Sequence, residues 1–226
     1  MIVKDEAHVI LRCLATVRPV IDHWIIVGTG STDGTQNVIR SAMADLPGTL
    51  VERPWVDFAF NRSEALTLAR PHGTYTLIID ADDELNITKD CSMPELVAPA
   101  YYLKIIDGFT QYTRIQLVNN DLEWRYRGVL HEFLDCKDAF LASPISLSMR
   151  RGDDGAPHRD PTTYARDASI LENALATETD PLLISRYTYY LAQSYRDSGE
   201  PRRALEYYLR RCETRILGRG NIYQFH

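Results

Sequence analysis

Tyr75-Thr76-Leu77-Ile78-Ile79-Asp80-Ala81-Asp82-Asp83-Glu84 is the stretch on which the reading of the whole chain turns. It opens as an apolar, partly β-branched run with the length of a buried strand. It ends in four carboxylates within five residues. In open α/β sheets, ligands bind just beyond the carboxyl ends of the strands. Four acids crowded there repel one another, so the pattern calls for a compensating cation. Oxygen-only ligands suit a hard divalent ion such as Mg²⁺ or Mn²⁺. A solvated acidic turn after a strand would carry the same letters, so the reading depends on what the rest of the chain builds around it.

The 226 residues allow one large domain, or one domain with a small appendage. Hydrophobic content of 45% and charged content of 25% are ordinary for a globular chain. A formal net charge of −6 gives no field favouring nucleic acid or anionic membrane, so an anionic substrate needs a local basic group or a metal. No apolar run approaches the roughly 20 residues of a membrane span, and no signal peptide is visible. Cys13, Cys91, Cys136 and Cys212 are widely spaced. That argues against a zinc site or disulfide framework and for reduced thiols in a cytoplasmic protein.

Working outward, the first 80 residues alternate strand and helix. Met1 to Lys4 is a short strand. Val9, Ile10, Cys13, Leu14 and Val17 have helical periodicity, ended by Pro19. Trp24 to Val27 is a strand running into Gly28-Thr29-Gly30-Ser31-Thr32-Asp33-Gly34-Thr35, and Gln36 to Met43 is a helix. Thr49 to Glu52 is a third strand and Arg62 to Arg70 a helix. This alternation predicts a parallel sheet with helices on its faces. Beyond residue 85 the pattern changes. Tyr101 to Ile106 and Tyr112 to Val118 read as strands about an Asp107-Gly108 turn, with a further strand over 139–149. Residues 151–157 form a polar linker. Helices are predicted near 162–177, 182–197 and 201–213, the first opening at Asp160-Pro161. Ala192, Tyr195, Gly199, Ala204 and Tyr208 are spaced like a tetratricopeptide unit. One such unit cannot stand as a free solenoid, so it is expected to pack on the first domain or against a second chain. The division is therefore 1–150 and 160–226.

Three further elements carry candidate chemistry. The Gly28–Thr35 loop joins a strand to a helix N-terminus, a place that attracts phosphate, but it is neither GxGxxG nor GxxxxGK[ST]. Arg62 opens a helix just before the acidic strand and offers a planar fork to phosphate or carboxylate. His131 and Glu132 are adjacent in an aromatic segment and could supply a metal ligand and a base.

Together, Met1-Ile2-Val3-Lys4-Asp5-Glu6, the GTGSTDGT loop, the FxxNRSEAL helix, LIIDADDEL and YRGVLHEFL, in this order, resemble the family 2 glycosyltransferases of the GT-A fold over residues 1–150. The helical tail is similar to a tetratricopeptide-like extension found on some of them. The resemblance implies an α/β, Rossmann-like, mostly parallel sheet with helices on both faces. It implies metal-dependent transfer, with inversion, of a sugar from a nucleotide diphosphate sugar to an acceptor hydroxyl on a glycan, a lipid-linked molecule or a protein. Asp80 and Asp82 match the family's DxD element. Asp82 would bind Mn²⁺ or Mg²⁺ directly, and Asp80 would contact the ribose or the ion's water shell. Arg62 would lie near the nucleotide. Glu6, Thr29 and Asp33 would line its pocket, and His131 would add a metal or diphosphate contact. Glu132 is the first candidate for general base, ahead of Asp107 and Asp83. Loops of this kind usually read VDTGS, whereas this chain has Gly28 where the base-contacting acid would stand.

Other readings fit less well. A phosphatase of the haloacid dehalogenase type would want Thr or Val where Glu84 stands. A calcium loop would want Gly at Leu85 and Glu at Cys91. The alternative from another class is a non-catalytic relative that uses its helical tail as an interaction module, with self-association through the tail as one form of it.

Overall fold

The computed structural model describes residues 1–87, 95–138, 141–152 and 162–213; the expected Asp160-Pro161 helix start lies outside them. Three short parallel strands, β1 (Ile2–Val3), β2 (Trp24–Gly28) and β3 (Gly48–Glu52), form one sheet in the order β1-β2-β3. Helix α1 (Ile10–Val17) buries Ile10, Cys13, Leu14 and Val17, the i, i+3, i+4, i+7 face of an amphipathic helix. Helix α2 (Thr35–Ala42) buries Ile39 against the same sheet core as Val3, Ile10, Leu14 and Ile26.

Helix α3 (Phe58–Ala69) is fixed at its start by side chains. The Asp57 carboxylate accepts the Phe60 N–H at 2.7 Å. The fully buried Asn61 side chain accepts the Val56 N–H at 3.0 Å and donates to the Pro54 carbonyl at 3.2 Å. These bonds set where Arg62 points.

Strand β4 (Tyr75–Leu77) belongs to a second, five-stranded sheet ordered β4-β7-β6-β10-β5. Its other members are β5 (Glu84–Asn86), β6 (Ala100–Asp107), β7 (Thr110–Asn119) and β10 (Ser143–Arg150). The β6–β7 hairpin turns at Gly108, whose φ of 54° suits glycine. The α/β class holds. The alternation of strand and helix, however, leads one to expect β4 beside the first three strands, and it pairs antiparallel with β7 instead. Strand β1, of two residues, pairs with β2 alone among the described residues, and a cavity of about 380 Å³ lined by Met1, Ile2, Ile25, Thr76 and Ile78 lies between it and β4.

A two-stranded ribbon, β8 (Arg125–Arg127) with β9 (Phe133–Asp135), carries the aromatic segment. Helices α4 (Thr163–Thr177), α5 (Pro181–Asp197) and α6 (Pro201–Glu213) follow. Asp180 caps α5 by accepting the Leu182 N–H at 2.8 Å, and Pro181 occupies the first helical position. Gly199, at φ 84°, makes the turn into α6. Leu171, Leu183, Tyr187, Tyr190, Leu191 and Tyr195 form the helical core, and Phe133 from β9 is buried in it, with Val129 and Leu130 packed alongside. The helices therefore share a core with the ribbon. On its far side α6 exposes Leu205 and Leu209. Among the described residues no helix is long and apolar enough to cross a membrane.

Re-exposing Phe133, Val129 and Leu130 costs roughly 1.5 kcal/mol or more for each side chain. Each kcal/mol moves the melting temperature of a chain this size by about 2–4 °C. A chain ending at Gly152 is expected to melt about 10 °C lower than the full chain, or to precipitate. An unchanged melting temperature by calorimetry would show that the helices fold apart from the ribbon.

Candidate active site

The acidic turn sits where β4 leads out of its sheet. Asp80 pairs with Arg62, Oδ1 to Nη2 at 2.7 Å, and the Nε of the same guanidinium lies 2.9 Å from Glu132 Oε1. That second contact is an ion pair, since the Nε–H does not align with the oxygen. The guanidinium also lies over the Tyr126 ring, 5.6 Å from its centroid. Burial works to raise the Asp80 carboxyl, but Arg62, with Arg114 behind it, outweighs that and holds the group well below the ordinary value. Burial alone would lower Arg62; Asp80, Tyr126 and Glu132 together raise it. Burial pushes the Tyr126 hydroxyl up to about 12.

The other acids of the turn have distinct surroundings. Asp83 is buried, with Arg114 at 3.7 Å, and burial and the Asp80 charge push its carboxyl up. Glu84 is bridged by Arg12, at 2.7 Å, and by Arg150. Asp82 is half-buried, and its carbonyl accepts a bond from Arg12 at 3.2 Å. The segment after β10 passes directly over it: a Cβ placed on Gly152 would come within 2.3 Å of the Asp82 carbonyl oxygen.

No group of three or more His, Cys, Asp or Glu among the described residues could by itself cage a metal. The donor set nonetheless suits Mg²⁺ or Mn²⁺ in the way such ions are held with substrate phosphates, by one or two carboxylates with the remaining positions filled by phosphate and water.

The loops at the ends of β1 and β2 are laced together. Asp33 accepts the Ala7 N–H at 2.9 Å through one oxygen and the Thr35 N–H at 3.0 Å through the other. The Glu6 N–H donates to Thr35 Oγ1 at 2.9 Å. Thr29 is buried, with its hydroxyl donating to the Val3 carbonyl at 3.2 Å. The candidate nucleotide residues Glu6, Thr29 and Asp33 thus come together at one end of the sheet, where Thr29 and Asp33 also hold the loops. Sequence reading missed Asp5, which at φ 56° accepts the Thr32 N–H at 2.7 Å. It also missed Glu52. That residue is paired in register with Gly28 across β2 and β3, and its Oε1 lies 2.5 Å from where a Gly28 Cβ would be. The space left by the missing side chain at position 28 therefore holds a carboxylate from the next strand. Gly28 facing a strand-end acid was the available signal.

Glu132 lies between β8 and β9, in a segment bent by Gly128 (φ 107°) and His131 (φ 51°). His131, at positive φ, sits in a bend outside both strands, and its side chain and that of Glu132 go separate ways. Glu132 reaches Arg62. The His131 ring stacks on Tyr190 of α5, with centroids 3.9 Å apart and planes 13° from parallel. Desolvation of the stacked ring, then the charge of Arg186, lower the His131 imidazole below its ordinary value, although one side of the residue stays exposed. Of the alternative bases, Asp83 is buried beside Arg114, and Asp107 pairs with Arg151 at 3.1 Å at the end of β6. The geometry thus gathers Asp80, Arg62 and Glu132 into one contact chain.

An α/β frame with an acid and arginine cluster beyond a strand end defines the class. The chain belongs to glycosyl transferase family 2, whose model matches residues 1–151. It is 33% identical over 151 residues to a TPR repeat-containing protein of Synechococcus elongatus, covering 63% of this chain and 36% of that protein. It is 34% identical over 86 residues to an uncharacterized glycosyltransferase of Rickettsia bellii, covering 38% of this chain and 27% of that one. The chain thus spans only about a third of the length of these curated relatives. A solved structure of TarS 1-349 from S. aureus aligns with 87% of this chain and 69% of its own, at 11% identity and a TM-score of 0.45.

Gly152→Ala forces a methyl group into the Asp82 backbone. It is expected to destabilise the protein by about 1–3 kcal/mol, the usual cost of overpacking, read as a lower urea midpoint. An unchanged midpoint would mean that the segment after β10 does not press on the acidic turn.

Proposed function

We propose that this chain is an inverting glycosyltransferase that moves a sugar from a nucleotide diphosphate sugar to an acceptor hydroxyl. The observation that carries the reading is the contact chain Asp80–Arg62–Glu132, beyond β4, in a family 2 chain. Asp82, with Asp80, would hold Mn²⁺ or Mg²⁺. When bound, the ion neutralises the diphosphate and favours departure of the nucleotide.

The protein's own groups do the rest. Arg62 offers a second cation to the diphosphate, and Tyr126 holds the guanidinium face. Glu52, Thr29, Asp33 and Glu6 border the nucleotide end. Glu132 takes the proton of the acceptor hydroxyl as its oxygen bonds to the anomeric carbon and the bond from that carbon to the diphosphate breaks. Asp83 suits this role less, being buried. Glycan, lipid-linked and protein hydroxyls all satisfy this chemistry as acceptors. The non-catalytic reading had Gly28 in its favour; the Glu52 carboxylate beside Gly28 and the packing of α5 on the Glu132 segment weigh for the enzyme.

The test is a panel of nucleotide sugars assayed for nucleoside diphosphate release with Mn²⁺, with Mg²⁺ and with chelator. Metal-dependent release is expected from at least one donor, and no release under any condition would sink the proposal. With an active donor, Asp82→Ala is expected to cut turnover at least about 100-fold, since metal stabilisation of the developing charge is worth several kcal/mol. Glu132→Gln is expected to cost roughly 10²–10⁴-fold, the range for a lost general base, with donor affinity nearly unchanged or somewhat raised as Arg62 is freed. A Gln variant near wild-type rate would move the base to Asp107 or Asp83.

A further inference from the structure

Helix α5 does more than cover the ribbon. Arg186, buried in the helical core, donates from Nη2 to the His131 carbonyl at 2.8 Å. Its guanidinium lies 4.7 Å from the Phe133 ring centroid and 5.3 Å from that of Tyr190. One turn along the helix, Tyr190 stacks on the His131 ring. The Tyr187 hydroxyl accepts the Val129 N–H at 3.1 Å. Arg127, at the other end of the segment, pairs with Asp180 at the helix cap. Residues on both sides of Glu132 are therefore held by one helix face. The residue before Glu132 is kept at a φ of 51° that non-glycine residues rarely adopt.

We infer that Arg186 is a positioning residue for the candidate base. By gripping the His131 carbonyl it holds the backbone turn that aims Glu132 at Arg62, so the helical tail is a working part of the active site. The guanidinium, sunk among aromatic rings, gives the His131 carbonyl a charged donor from the helix face. The role of Glu132 rests on the glycosyl-transfer reading; the grip on the segment does not.

The test uses the full chain. Arg186→Met keeps the stem volume and removes the donor, Arg186→Lys keeps one donor and the charge, and Tyr187→Phe removes only the hydroxyl facing Val129. Hydrogen exchange over residues 128–133 reads the grip without any substrate. Faster exchange there is expected in Arg186→Met, and at Val129 in Tyr187→Phe, with Arg186→Lys close to wild type. With an active donor, kcat of Arg186→Met is expected to fall about 10–100-fold, as for a reacting group displaced by about 1 Å, while the donor KM changes less than about threefold and Lys restores most of the rate. Wild-type exchange in both Arg186→Met and Tyr187→Phe would overturn the inference, as would faster exchange in Arg186→Met at unchanged kcat. If Arg186→Met does not fold, Tyr187→Phe decides it by exchange at Val129. A wild-type chain that turns over no donor, yet shows the expected exchange, would refute the glycosyl-transfer reading and leave the grip standing.

Discussion

Holding several carboxylates together away from bulk water is costly, and the structure around the acidic turn is arranged to offset that cost. Three of the four acids there, Asp80, Asp83 and Glu84, are answered by arginines from different elements. Arg62 of α3 serves Asp80, Arg114 of β7 serves Asp83, and Arg12 of α1 with Arg150 of β10 serves Glu84. Such pairs add little net stability, because desolvation consumes most of the attraction. Their effect is positional. They tie two helices and two strands of the five-stranded sheet to one turn, and they fix which carboxylates are charged. Asp80 is held ionised by Arg62, while Asp83, sunk deeper, is pushed toward its neutral form. Neighbouring carboxylates in contrasting environments are a common mark of a working site.

The parts of this arrangement visible in the sequence are those with local signatures. The acid cluster after an apolar strand, the Asp107-Gly108 hairpin and the helices over 162–177, 182–197 and 201–213 were all readable, because periodicity, turn residues and Gly-Glu-Pro breaks are local. The unread parts are pairings between distant segments. No pattern within Tyr75–Leu77 says that it will run antiparallel to Leu117–Asn119 rather than join β1. Gly28 reads as a missing acid until β3 is laid in register beside it and Glu52 is found in the gap. Arg186 had a faint signal. It falls on the stripe of Leu183, Tyr187 and Tyr190, and an arginine within a buried stripe needs a partner. Finding that partner required the ribbon's position.

The His131–Glu132 step shows how strain and packing are coupled here. A non-glycine residue in the left-handed region costs about 1–3 kcal/mol and persists only where its surroundings over-determine it. The surroundings are α5: one hydrogen bond to the His131 carbonyl, one ring stacked on the imidazole, and a hydroxyl bonded two residues earlier. The stability of the helical core and the direction of Glu132 are thus set by the same contacts.

Arg62 stands where the two halves of the site meet. Its guanidinium touches Asp80, which belongs to the acidic turn, and Glu132, which belongs to the segment gripped by α5. While Glu132 Oε1 lies against that guanidinium, the oxygen faces Arg62 rather than an acceptor. A diphosphate entering beside Asp80 and Asp82 would compete for the same guanidinium, with more negative charge than Glu132 offers. Under the proposed function, donor binding would therefore draw Arg62 from Glu132 and open that oxygen to an acceptor only once a sugar is in place. The arrangement couples the availability of Glu132 to occupancy of the donor site through one side chain.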